Sequence, residues 1–91
     1  MQATSKKRQP GMAAVIRLMR LTKEWNQEEL GSRTGIKSSD ISLLESGRRN
    51  PTLDTLQRLA EAFGVDCGEM ITLAAEFETK VELMERRSPQ H

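Results

Sequence analysis

Apolar residues recur along this chain at helical spacing and never in sustained alternation. Met12, Val15, Ile16 and Met19 repeat at intervals of three and four, which predicts a first helix from Met12 to about Lys23. In "WNQEEL" a second begins: Asn26 suits an N-cap, and Glu28 and Glu29 put negative charge in the first turn, where the helix dipole favours it. It has room for only about two turns before Gly35, a residue suited to the left-handed stop that ends a helix. A third helix is predicted from about Ser38 to Ser46, ending at Gly47. In "RRNPT" the Asn50-Pro51 step breaks the helix and Thr52 is placed to cap the next. Leu53, Leu56, Leu59, Ala60 and Phe63 share one face of that fourth helix, which Gly64 stops. Asp66 and Glu69 have the spacing of a capping box, and a long fifth helix runs from there to about Arg86. The pattern therefore predicts an all-α fold, a compact bundle of five helices, four short and one long. Residues 1–11, "MQATSKKRQPG", have no periodicity and read as a basic arm; residues 88–91 read as a frayed end.

Composition narrows this picture without changing it. The 91 residues suit one domain with a modest core. Aromatics are few, and β-branched residues are scattered, both of which argue against a sheet. No apolar run approaches the length of a membrane span, and Lys6, Lys7 and Arg8 are not followed by the apolar stretch of a secretory signal. Cys67 is the single cysteine, so no internal disulfide can form, and a reducing, cytoplasmic location is expected. The net charge of +1 conceals a split: residues 1–50 hold ten Lys/Arg against five Asp/Glu, and residues 51–91 hold four against eight. The split suggests one face suited to a polyanion; chance clustering on solvated helices is the competing reading.

The junction "QEELGSRTGIKSSDISLLESG" carries the most information. Two helices meeting at a three- or four-residue turn that contains Gly form a helix-turn-helix unit. Gly31 lies four residues after Gln27, where the two helices cross too closely for a large side chain. Gly35 lies in the turn, where a positive φ is expected, and Ile41 lies where a β-branched plug locks the pair. Leu30, Ile36 and Leu44 fill the apolar positions between them.

With "NQEELGSRTGI" and "ISLLESGRRNPTLDTLQRLAEAFGV" the sequence resembles the phage repressor and Cro-type, or XRE, helix-turn-helix family over about residues 12–71. The resemblance implies a lambda repressor-like DNA-binding domain that works as a homodimer on double-stranded DNA, with the second helix of the motif in the major groove. It implies that Gln27 reaches a phosphate at the start of the motif, and that Lys37, Ser38, Ser39, Ser42 and Leu43 face the groove. It further implies that Ser46, Arg48 and Arg49 touch the sugar-phosphate backbone, and that Arg20 and Glu45 form a partly buried ion pair between the first and third helices. The chain departs from the family pattern at Lys37, where a capping Ser or Thr is frequent: either Ser38 caps and the helix begins one residue late, or Lys37 reaches a phosphate. Three of the five groove-facing residues are serines, which discriminate weakly among bases, and Asp40 adds negative charge beside the DNA. Shape and phosphate contacts are therefore expected to carry much of the affinity.

The arm bears Lys6, Lys7 and Arg8 and resembles the basic arms with which some phage repressors wrap DNA; a solvated tail is the competing reading. On the fifth helix, Met70, Ala74, Phe77, Val81 and Met84 are spaced as a heptad seam, with Lys80 and Arg87 at g positions and Glu78 and Glu85 at e. The seam suits a parallel dimer, or else it packs back on its own chain. The expected organisation is a basic arm over 1–11, the DNA-binding domain over 12–71, and a dimerising extension over 72–91.

Other function classes have less support. One His, at the end of the chain, and one Cys supply neither a catalytic pairing nor a metal ligand set, and no phosphate-binding Gly loop is present, so neither an enzyme nor a cofactor is expected. Trp25 is expected to staple the second helix onto the first. The rival to a transcriptional regulator, most simply a repressor, is a protein-interaction module on the same fold, such as an antitoxin or an inhibitor of another regulator.

Overall fold

The structure, a computed structural model, describes residues 10–87. Within them the chain forms α1 (Pro10–Thr22), α2 (Gln27–Thr34), α3 (Ser38–Glu45), α4 (Leu53–Phe63) and α5 (Cys67–Arg87), with no strand among the described residues. No described helix is long and apolar enough to cross a membrane.

Local chemistry sets most of the boundaries. The Asn26 side chain accepts from the Glu29 N–H at 2.7 Å and so starts α2. Thr52 does the same for α4, accepting from the Thr55 N–H at 3.1 Å. At α5 the Asp66 N–H donates to Glu69 Oε1 at 3.0 Å, one arm of the expected capping box. Three boundaries differ from expectation. Pro10 and Gly11 belong to α1 rather than to the arm, because Pro is well tolerated in a first helical turn, where its missing N–H costs nothing. The first helix ends at Thr22 and the third at Glu45, one residue earlier than expected in each case.

One core joins all five helices. Ile16 of α1, Leu30 of α2, Ile41 of α3, Leu59 of α4 and Met70 of α5 are its largest fully buried side chains. Each stabilises the fold by roughly 1.5–3 kcal/mol, far more than any exposed ion pair. The core does not stop at residue 71. Ala74 is buried in it, and the Gly11 N–H donates to Glu78 Oε2 at 3.2 Å, so α5 lies across α1 beyond the span of the resemblance. The approach is close enough that a Cβ on Gly11 would strike the Ala74 carbonyl.

Candidate nucleic-acid interface

Helices α2 and α3 are held together by small residues and one buried hydroxyl. A Cβ on Gly31 would sit 2.6 Å from the Ile36 carbonyl oxygen, so only Gly allows the turn to pass this close to α2. Gly35 has φ of 77°, and its N–H donates to the Gly31 carbonyl at 2.8 Å, closing α2 with a left-handed residue. Buried Thr34 donates its hydroxyl to the Leu30 carbonyl at 2.8 Å and accepts the Ile36 N–H at 3.2 Å, which satisfies the turn backbone. Ile41 and Leu44 face the core, which turns the opposite side of α3 outward.

A buried polar cluster fixes α3 relative to α1. Arg20 Nε lies 2.6 Å from Glu45 Oε2 and Nη2 lies 3.0 Å from Oε1, a bidentate pair whose side chains are only 10% and 3% exposed. Arg20 Nη1 also donates to the Trp25 carbonyl at 2.7 Å. The hydrogen bond it donates to Glu45, opposed by burial and aided by the carboxylate charge, holds the Arg20 guanidinium above the usual arginine pKa. Gln27 Nε2 donates to Glu45 Oε1 at 3.1 Å. The Gln27 side chain expected to reach a phosphate is thus already anchored to α3, because its first-turn position sets it beside the Glu45 carboxylate.

The outward side of α3 carries Ser38, Ser39 and Ser42, all exposed, with Leu43 half-buried beside them. Lys37 is the N-cap residue, is exposed and makes no side-chain capping bond; α3 begins at Ser38 rather than one residue later. Ser46 is exposed and donates to the Leu43 carbonyl at 3.0 Å. The N–H groups of Arg48 and Arg49 both donate to that carbonyl, at 3.0 and 3.3 Å, so the basic loop is pinned against the end of α3. Lys37 and Arg48 form no ion pair among the described residues. Arg49 does: its Nη1 lies 2.7 Å from Asp40 Oδ1. Lys6, Lys7 and Arg8 lie outside the described residues.

The first half of the heptad seam follows the second of its two expected fates and packs back on its own chain. Met70 and Ala74 are buried within this chain, because α1 and α4 already cover the first half of α5. Val81 is half-buried and Met84 is exposed, and Phe77 is 39% exposed. Glu78 is likewise turned inward, towards Gly11. What the structure adds is an apolar groove between α1 and α5, lined by Ala14, Leu18, Leu21, Leu73 and Phe77 and rimmed by Arg17, Glu76 and Lys80. Leu18 is 63% exposed there. Trp25, expected to staple α2 onto α1, stacks its ring on Phe63 of α4, with centroids 6.2 Å apart, while its backbone N–H and carbonyl both bond to Arg20 of α1. The Arg33 guanidinium lies 4.2 Å from the Trp25 ring centroid. Among the described residues no three His, Cys, Asp or Glu side chains gather as a metal site would require.

Comparison with known proteins gives the same architecture. The helix-turn-helix family model matches residues 16–70. Over 54 residues the chain is 46% identical to y4dJ, an uncharacterised HTH-type transcriptional regulator of Sinorhizobium fredii, a match spanning 59% of this chain and 70% of that protein. It is 32% identical over 57 residues to RstR, the transcriptional repressor of the cryptic phage CTXphi from Vibrio cholerae, spanning 63% of this chain and about half, 51%, of the repressor. The crystal structure of the restriction-modification controller protein C.AhdI from Aeromonas hydrophila superposes with a TM-score of 0.64 at 28% identity, over 67% of this chain and 92% of that one. The matched segment runs from the core of α1 to the start of α5 and contains the whole α2–α3 unit with its Arg20–Glu45 fastening. The chain belongs to the XRE-type helix-turn-helix family and is a DNA-binding transcriptional regulator.

Proposed function

We propose that this regulator is a repressor that binds a pseudo-palindromic operator as a homodimer, with α3 of each copy in the major groove of one half-site. The observation that carries the reading is the outer side of α3. Its serines are exposed, it is flanked by Lys37 and Arg48, which form no ion pair among the described residues, and it is fastened to the core through Glu45. In this reading Lys37, Ser46 and Arg48 contact phosphates, and Ser38, Ser39, Ser42 and Leu43 meet base edges. Gln27, oriented by Glu45, presents the N-terminus of α2 to a phosphate, where free helix N–H groups favour an anion. Half-sites lie roughly 10 bp apart, one helical turn, as a two-fold pair of α3 helices requires.

The second copy docks on the α1–α5 groove. Its apolar floor exposes Leu18, Leu21, Leu73 and Phe77 together, a contiguous patch of the kind that marks an association surface. Its rim carries both charge signs, Arg17 and Lys80 against Glu76, so the patch complements itself under two-fold rotation. A repressor of RstR type supports the sign of regulation. The test is run-off transcription from a promoter overlapping a site selected from random duplex DNA. Transcript is expected to fall as protein is added, with the midpoint tracking dimer concentration; unchanged or increased transcript would overturn the repressor reading.

A further inference from the structure

The serines on α3 leave a gap in the account of specificity, since a hydroxyl accepts from or donates to almost any base. Two arginines lie beside the end of α3, Arg48 and Arg49, and among the described residues Arg49 is the one held by a carboxylate of α3 itself. Its Nη1 lies 2.7 Å from Asp40 Oδ1, and the two side chains are 53% and 38% exposed. Nε and Nη2 have no partner among the described residues. Those two atoms are parallel donors on one edge of a planar group, the pattern that matches O6 and N7 of guanine bidentately.

The bond to Asp40 separates Arg49 from its neighbours. Lys37 and Arg48 are unpaired among the described residues and can swing to any phosphate, whereas Arg49 has its Nη1 held by Asp40 and only its Nε–Nη2 edge left to meet the DNA. Like Arg48, Arg49 has its backbone N–H on the Leu43 carbonyl, at 3.3 Å; with the Asp40 bond added, its guanidinium is restrained at its root and at its tip. A carboxylate in the first turn of α3 suits the helix dipole, yet it repels every phosphate nearby. Its presence is explained if it orients a base-reading arginine and weakens binding to the wrong sequence.

We propose that Arg49, positioned by Asp40, is a specificity-determining residue that reads a guanine in each half-site. This rests on the operator reading above, and it moves Arg49 from the phosphate contacts to the base contacts. Asp40 is a positioning residue: it acts through Arg49 and through repulsion of phosphates.

The test compares wild type, Arg49→Lys, Asp40→Asn and the double variant. Each is put through selection from random duplex DNA and then titrated on the selected duplex and on a scrambled one at several salt concentrations. Arg49 is exposed and Asp40 half-buried at the surface of α3, and circular dichroism checks equal folding before titration. Wild type is expected to enrich one strongly preferred guanine per half-site. Arg49→Lys keeps the charge and loses that preference by roughly 5- to 100-fold, the worth of a bidentate base contact. Asp40→Asn weakens the guanine preference and strengthens binding to scrambled DNA at low salt, with a salt slope steeper by about one phosphate. In the Arg49→Lys background Asp40→Asn no longer changes the guanine preference. A guanine that survives Arg49→Lys, or an equal loss on both duplexes, would overturn the inference while leaving the operator reading intact. A wild type that enriches no motif would overturn both.

Discussion

Arg20 and Glu45, 25 residues apart, form a bidentate ion pair that fastens α1 to the C-terminal end of α3. The same carboxylate holds Gln27, so three helices converge on one buried charge. A pair buried this deeply gains little net stability over an apolar replacement, but a partner left alone is costly. Arg20→Met therefore lowers unfolding free energy by about 3–5 kcal/mol, measured by denaturant melts. The double change Arg20→Met with Glu45→Leu recovers most of that loss, because no charge is then stranded. A single substitution that melts like wild type would show that the pair is not buried in solution.

Gly31 tests the crossing of α2 and α3. A Cβ there meets the Ile36 carbonyl oxygen at 2.6 Å, and backbone cannot swing away as a side chain can. Gly31→Val is expected to cost about 1–3 kcal/mol through overpacking and to lower the urea midpoint at unchanged slope. Gly68→Ala on α5 is the matched control. An added Cβ there meets nothing within 4 Å, and the helix gains about 0.5–1 kcal/mol.

Lys37 and Arg48 test the division between phosphate and base contacts. Replacing either by Ala is expected to weaken binding about equally on all sequences and to reduce the magnitude of the salt slope by about one. The selected motif stays the same and thermal stability does not change. Ser39→Ala and Ser42→Ala are expected to alter the motif slightly and leave the salt slope as it is. A shifted motif in the Lys37 variant would place that residue on a base.

The groove between α1 and α5 is tested by charge. Leu18→Glu and Phe77→Glu put carboxylates on an exposed apolar surface, so each is expected to give a helical monomer by sedimentation and circular dichroism. Dimers that persist in both variants would move the interface elsewhere. Truncation after Ile71 is not an equivalent test. It removes Ala74 from the core and Glu78 from the Gly11 N–H, and it should destabilise the domain rather than merely separate copies.

Much of this fold was legible because its signals are local. Asn26, Gly35, Thr52 and Gly64 each act on backbone within a few residues, so residue type and position predict the boundary. Gly31 and Ile41 were legible by spacing, since a tight turn permits few side chains at those places. Contacts across long separations were not legible from spacing, and the Arg20–Glu45 pair was expected only through the family resemblance. Nothing in a heptad stripe says which helix covers it, and Met70 and Ala74 are covered by the chain's own α1 and α4. Trp25 found Phe63 of α4 for the same reason: an apolar ring specifies burial, not a partner. Asp40 and Arg49 are nine residues apart across a loop, a separation with no helical register to suggest the pairing. The groove of Leu18 and Leu21 against Leu73 and Phe77 also needed three dimensions, because each helix alone shows only one or two exposed leucines.

The measurement that bears most directly on the central claim is selection from random duplex DNA with the purified chain at physiological salt. A dimer that places two α3 helices in successive major grooves predicts an enriched motif with two-fold symmetry and half-sites about one turn, roughly 10 bp, apart. Enrichment of a single unsymmetrical half-site, or weak binding that disappears with salt and enriches nothing, would contradict it.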